Sequence, residues 1–135
     1  MKVSKLMSRN VVTVKMDDPL RIVKDIFNKT KFHHLLVLSS GKLIGVISDR
    51  DLLKSLNPAI DTVAATTKDL ACLNKKVHQI MTRKPISLTS DSTIKNAIDV
   101  FNNNTVSCIP IVSHEGYPEG ILSWRDIMQA LGKIN

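Results

Sequence analysis

Little in this 135-residue chain belongs to the chemistries most readily recognised from sequence. There are two cysteines, Cys72 and Cys108, far apart and in no CxxC pair, which argues against a disulfide framework or a thiolate zinc site. Aromatic residues make up only 4%, too few for a platform on which single-stranded nucleic acid stacks. No window approaches 18 uninterrupted apolar residues, so no membrane-spanning helix is expected. The opening Met1-Lys2-Val3-Ser4-Lys5 leads into no apolar h-region, so no secretory signal is expected either. These absences together predict a cytoplasmic protein. The GxSxG, P-loop and GxGxxG patterns are missing, which removes the commonest local signatures of hydrolases and of phosphate and dinucleotide sites.

Two remaining features could carry chemistry. His33 and His34 are adjacent, but neighbouring residues of an extended segment point to opposite faces, and no Cys/His/Asp/Glu cluster accompanies them at ligand spacing. No metal site is expected. Cys108 precedes an apolar stretch and reads as a small core hydrophobe, not a nucleophile. No enzyme activity is expected.

What is present is an ordinary globular balance, 43% hydrophobic and 23% charged, with an excess of positive charge, +7. The excess favours anionic partners. It is concentrated in residues 1–67, which hold eleven basic against six acidic residues; residues 68–135 hold eight against six. No four basic residues are consecutive.

The chain repeats itself, and periodicity at this scale governs the rest of the reading. At an offset of 74, Val3, Met7, Arg9, Asp17, Asp25, Phe27 and Asn28 recur as Val77, Met81, Arg83, Asp91, Asp99, Phe101 and Asn102. The apolar run Leu35–Leu38 meets Ile109–Val112. After a one-residue insertion in the second copy, Gly45-Val46-Ile47-Ser48-Asp49-Arg50-Asp51 meets Gly120-Ile121-Leu122-Ser123-Trp124-Arg125-Asp126. Each copy is too small to bury a core alone, so the two should pack together.

Each copy predicts the same order of elements. An extended stretch comes first, Val11–Val14 or Ile86–Leu88. A helix follows, with Leu20, Val23, Ile26 and Phe27, or Ile94, Ala97, Ile98 and Phe101, at helical spacing. Asp18 before Pro19 has the form of an N-cap with proline at N1, and Ser92 holds the matching place. Two strands come next, Leu35–Leu38 with Leu43–Ile47, or Ile109–Val112 with Gly120–Leu122. A second helix starts at Asp49 or Trp124. The result is β-α-β-β-α twice, an α/β (α+β layered) architecture with helices covering apolar strands. The expected boundaries are 1–56 for the first unit, 57–76 for a connector and 77–135 for the second unit. Pro58 ends the preceding helix. The connector either covers the core or contributes to self-association.

The repeated Gly-x-x-Ser-x-Arg-Asp sits each time between a strand and a helix start. It has two readings. Ser48-x-x-Asp51 and Ser123-x-x-Asp126 fit the capping box, which satisfies free amides at a helix start. The same amides, with a hydroxyl and an arginine, make an anion site suited to phosphate, and a carboxylate beside them can hold a ribose diol. Gly45 and Gly120 leave room for a ligand or a neighbouring backbone. Met7 and Met81 read as packing residues.

The openings Val3–Ser8 and Val77–Thr82, the strand Ile109-Pro110-Ile111-Val112 and the closing Gly-x-x-Ser-x-x-Asp together resemble a pair of CBS motifs, the tandem unit known as a Bateman module. The resemblance covers nearly all of residues 1–132. It implies two β-α-β-β-α units packed through their sheets with pseudo-twofold symmetry, modules that pair into homodimers, and a non-catalytic sensor. Its ligands are AMP, ADP, ATP or an S-adenosyl compound, bound in clefts between units, with no cofactor required and a protein target possible.

Carried over residue by residue, the resemblance implies two sites. In the first, Ser48 and Arg50 face phosphate, Asp51 holds the ribose, and Val12, Thr13, His34, Leu35 and Leu36 border the base; His33 stands where some members place a phosphate-facing basic residue. In the second, Ser123, Arg125 and Asp126 take the polar roles, and Ile86, Ser87, Cys108, Ile109 and Pro110 border the base. Leu36 departs from the usual proline. Ser107 and Cys108 replace the two histidines, and Trp124 replaces Asp49, so the sites should differ in affinity. Two alternatives use the same residues otherwise: a nucleic-acid-binding regulator working through the +7 surface, or a scaffold without a small ligand.

Overall fold

The computed structural model describes residues 1–133. It is a mixed α/β chain with two sheets, and its β-α-β-β-α order is repeated in tandem. The first repeat runs β1 (Thr13–Lys15), α1 (Leu20–Lys29), β2 (His34–Ser39), β3 (Lys42–Ser48) and α2 (Asp49–Ser55). Pro58 opens a short 3-10 turn, Pro58–Asp61, two residues after the α2 C-cap. The short helix α3 (Thr67–Leu70) and a 3-10 turn, Ala71–Asn74, complete the connector. The second repeat holds β4 (Thr82–Arg83), β5 (Leu88–Thr89), α4 (Ile94–Asn103), β6 (Cys108–Val112), β7 (Pro118–Ser123) and α5 (Trp124–Gly132). Each repeat is preceded by a 3-10 turn, Val3–Lys5 or Val77–Gln79.

One sheet has the order β1-β2-β3-β4 and the other β5-β6-β7. Each sheet holds one parallel pair, β1 with β2 (Val14 against Val37) and β5 with β6 (Leu88 against Ile111). The turn between β2 and β3 places both Ser40 (φ 52°) and Gly41 (φ 80°) in the left-handed region. That is the geometry of a two-residue hairpin whose twist suits the strands, and glycine takes it without steric cost.

The compact units do not follow the order of the repeats. One comprises Val12–Ser39 and Ile44–Lys84; the other comprises Met1–Val11, Ser40–Leu43 and the chain from Pro85 on. Within the first-repeat unit, Val77 and Met81 join the core made by Val14, Leu20, Val23, Leu35, Val37, Ile47 and Leu52. Within the second-repeat unit, Val3 and Met7 join Ala97, Ile109, Ile111, Leu122 and Ile127. Each core is therefore completed by the leader segment of the other repeat. Backbone hydrogen bonds fix the exchange in the same way twice. Leu20 N donates to Lys75 O (2.8 Å) and Val77 N to Asp18 O (2.9 Å), while Ile94 N donates to Met1 O (2.9 Å) and Val3 N to Ser92 O (2.8 Å).

This exchange explains two helix starts that differ from the sequence expectation. Asp18 does not cap α1: the N-cap is Pro19, and the Asp18 carboxylate accepts from Lys15 N (2.8 Å) instead. Ser92 does not cap α4 either. Its hydroxyl accepts from Thr89 N (3.2 Å), and Thr93 caps the helix in a box with Asn96. At both places a bridge to the incoming leader, Pro19 with Lys76 and Thr93 with Lys2, sets the chain direction into the helix. On α4, Val100 packs on the core while Ile98 turns outward.

The two glycines of the repeated motif have a definite neighbour. A Cβ on Gly45 would lie 2.7 Å from Met81 Sδ and 3.0 Å from Thr82 O; one on Gly120 would lie 2.8 Å from both Met7 Sδ and Ser8 O. The glycines admit the exchanged leaders, and both methionines are buried beside them.

Candidate functional site

Each unit brings one Ser-x-Arg-Asp helix start to the end of its parallel strand pair. In the first-repeat unit, β3 ends at Ser48, which caps α2. Ser48 Oγ accepts from Asp51 N (3.0 Å) and Asp51 Oδ2 accepts from Ser48 N (2.9 Å). In the second-repeat unit, Ser123 Oγ accepts from Asp126 N (3.2 Å) and Asp126 Oδ2 from Ser123 N (2.8 Å). The capping-box reading is thus realised twice. It fixes the serine and the aspartate and engages one oxygen of each carboxylate. Arg50 and Arg125, two residues after the cap, are exposed, and neither enters an ion pair among the described residues. A guanidinium beside a helix start, with a hydroxyl and a carboxylate, can hold a phosphate and a diol together.

The strands supply the floor. Leu35 and Ile109 are wholly buried in the two cores, so what they can offer a ligand is backbone. Leu36 and Pro110, the alternate residues, are buried too, at 1% and under 2% exposure. Here the repeats diverge. Leu36 N donates to Val12 O (3.0 Å), and β1 pairs from Thr13 on. Pro110 has no N–H to give, and β5 begins only at Leu88, the counterpart of Val14. Ile86 and Ser87 consequently lie outside the strand and are exposed, whereas Val12 and Thr13 are tied to β2.

The flanking chemistry diverges further. His33 Nδ1 and Asp49 Oδ2 are 2.8 Å apart, and Asp49 N donates to His33 O (3.0 Å). This double clip ties the start of β2 to the start of α2. Burial lowers the pKa of His34 below its ordinary value of 6.5; Asp49 and Asp51 oppose that shift and His33 reinforces it. His34 is thus held neutral at neutral pH. In the second repeat the corresponding residues are Ser107, Cys108 and Trp124. Burial pushes the Cys108 thiol up to about 12, so it stays protonated and serves as a small apolar side chain. The first site therefore carries two imidazoles and a second carboxylate where the second carries a hydroxyl, a neutral thiol and an indole.

Asp49 was not among the expected site residues, although its replacement by Trp124 in the second repeat marks it in the sequence. Its link to His33 depends on a turn of chain that brings residues sixteen apart together. Among the described residues no helix is long and apolar enough to cross a membrane.

Comparison with known proteins agrees with this geometry. The CBS domain family model matches residues 3–58 and 77–133. The protein MJ1426 of Methanocaldococcus jannaschii is 27% identical over 154 aligned residues, which span 97% of this chain and 91% of that one. CBSX2, solved in complex with AMP, has a TM-score of 0.82 at 26% identity and covers 99% of this chain and 98% of its own. The CBS domain pair of MJ0100, solved with methylthioadenosine and S-adenosyl-L-methionine, has a TM-score of 0.81 at 23% identity, with 100% and 98% covered; at that identity the likeness is one of fold. With both repeats matched, this chain belongs to the CBS domain family and carries two CBS domains in tandem.

Proposed function

We propose that this chain is a non-catalytic regulatory module that binds an adenine nucleotide, AMP or a close relative, at its Ser-x-Arg-Asp helix starts. It works in the cytoplasm as a homodimer and reports ligand state to a protein partner. The observation that carries this reading is the duplicated capping box with an exposed arginine inside it. In the first site Ser48 and Arg50 receive the phosphate and the second Asp51 oxygen receives the ribose, with Val12 and Thr13 beside the base. In the second site Ser123, Arg125 and Asp126 take those roles, with Ile86 and Ser87 beside the base. The AMP bound to CBSX2, a relative matched over nearly its full length, supports the ligand class. A ligand that favours one arrangement of the chain over another shifts its affinity for a partner by the difference.

Isothermal titration with AMP, ADP, ATP and S-adenosylmethionine tests the reading. Saturable heat with at least one of them is expected, with Asp51→Ala and Asp126→Ala each removing one site. No heat and no thermal shift with any of the four overturns it. The +7 charge favours a second reading, nucleic-acid binding, which predicts gel-shift affinity falling steeply with salt.

A further inference from the structure

The two strand entries differ by one hydrogen-bond acceptor. In the first-repeat unit Leu36 N donates to Val12 O (3.0 Å), the bond that opens the parallel pairing of β1 with β2. At the same register of the second-repeat unit stand Ile86 and Pro110. Proline has no N–H, so the equivalent bond has no donor. Ile86 O accepts no hydrogen bond among the described residues, and the pairing begins one residue later than in the first repeat, at Leu88 with Ile111.

This carbonyl is within reach of a ligand. Ile86 is 39% exposed, and the segment that carries it has left the strand. At the start of β6 stands Cys108, where β2 starts with His34. Both are half-buried, and a protonated thiol fills much less space than an imidazole. The second entry thus offers an unclaimed acceptor and more room; the first offers an acceptor already claimed by its own sheet and a larger ring.

We infer that adenine is told from other purines at the second site, by Ile86 O, and that Pro110 is the residue that leaves this oxygen free. The inference rests on the nucleotide reading above and assigns its base preference to one of the two sites. The 6-amino group of adenine is a donor and supplies to Ile86 O the N–H that Pro110 lacks. A 6-oxo purine sets oxygen against oxygen at the same place, and a site built to pair with a donor rejects the analogue without it. At the first site Leu36 N already fills that role, so 6-amino and 6-oxo purines meet the same surface. Pro110 acts through Ile86 O and is a positioning residue; the contact to the base is the carbonyl.

Isothermal titration with AMP and with inosine monophosphate tests this on two proteins: Asp51→Ala, which keeps the second site, and Asp126→Ala, which keeps the first. The second site should bind AMP at least about 10-fold more tightly than inosine monophosphate, the worth of one hydrogen bond at the upper end of its usual range. The first should bind the two within about 3-fold of each other. Adding Pro110→Leu to Asp51→Ala should bring the ratio down to that of the first site, a change of selectivity that lost stability does not produce. A circular dichroism melt checks that this double variant is folded; if it is not, the ratios of the two single-site proteins decide. Equal ratios at the two sites, or a larger one at the first, overturn the inference while AMP binding stands. A ratio that survives Pro110→Leu overturns the part given to Pro110. No binding of AMP to either protein overturns the nucleotide reading and the inference with it.

Discussion

The two repeats close their cores alike and equip their helix starts differently. Both have a buried strand, a capping box and a glycine against a methionine from the exchanged leader. Around the first helix start stand His33, His34 and Asp49, with a β1 that pairs from Thr13 on; around the second stand Ser107, Cys108 and Trp124, with a β5 that starts later. The shared residues are those on which the fold depends. The divergent ones surround the helix starts, so duplication has preserved the scaffold and freed its rim.

The hardest way to break this likeness is to fill the glycines. Gly120→Val should destabilise the protein by about 3 kcal/mol, at the upper end of overpacking, because the new side chain meets the Ser8 carbonyl at 2.8 Å. Gly45→Val should cost somewhat less, since its nearest backbone atom, Thr82 O, lies at 3.0 Å. Urea unfolding reads both, and a larger loss at Gly45 would break the ranking. Exchanging the strand residue comes next. Leu36→Pro removes the bond to Val12 O and should cost about 1–3 kcal/mol, and it should loosen Val12 and Thr13 toward the state of Ile86 and Ser87. Amide hydrogen exchange at residues 13–15 shows whether β1 shortens. Ser48→Ala and Ser123→Ala should each cost about 1 kcal/mol and, in thermal melts, come out nearly equal, since the two boxes have matching bonds.

Near neutrality the smallest effects are those of pH, and they should grow on opposite sides of it. The folded His34 has a lowered pKa, so the unfolded chain binds its proton first. The stability it protects is full above pH 6.5 and is lost as pH falls below that toward the folded value. The folded Cys108 keeps its proton up to about pH 12 against an ordinary value of 9.0, so its contribution is full below pH 9.0 and declines as pH rises above it. Melts across both ranges check the signs. His34→Cys should flatten the acid slope and Cys108→Ala the alkaline one. A slope that survives its substitution belongs to another group.

Much of this was legible in the sequence, because the informative patterns are local. The runs Leu35–Leu38 and Ile109–Val112, the boxes at Ser48 and Ser123 and the helical spacing of Leu20, Val23, Ile26 and Phe27 each lie within one turn or strand. What could not be read comes from distant pairing. Asp18 and Ser92 have the right chemistry for caps, but the bridges to Lys76 and Lys2 turn the chain before they can act. The neighbours of Gly45 and Gly120 come from the opposite repeat, so their residue type signalled a close approach without saying to what. Ile98 has the spacing of a core residue, yet it stands where the first repeat has Lys24, and it is 38% exposed.

The leader exchange has a consequence for synthesis. Domains generally fold as units, beginning from the N-terminus as the chain emerges. The core that holds Val14, Leu20 and Leu35 is complete once Val77 and Met81 have been made. Val3 and Met7, made before the first repeat, pack with Ala97, Ile109, Ile111, Leu122 and Ile127, which are made after it. The first leader must wait for the second repeat, and a ribosome halted between the repeats displays Val3 and Met7 before their core partners have been made.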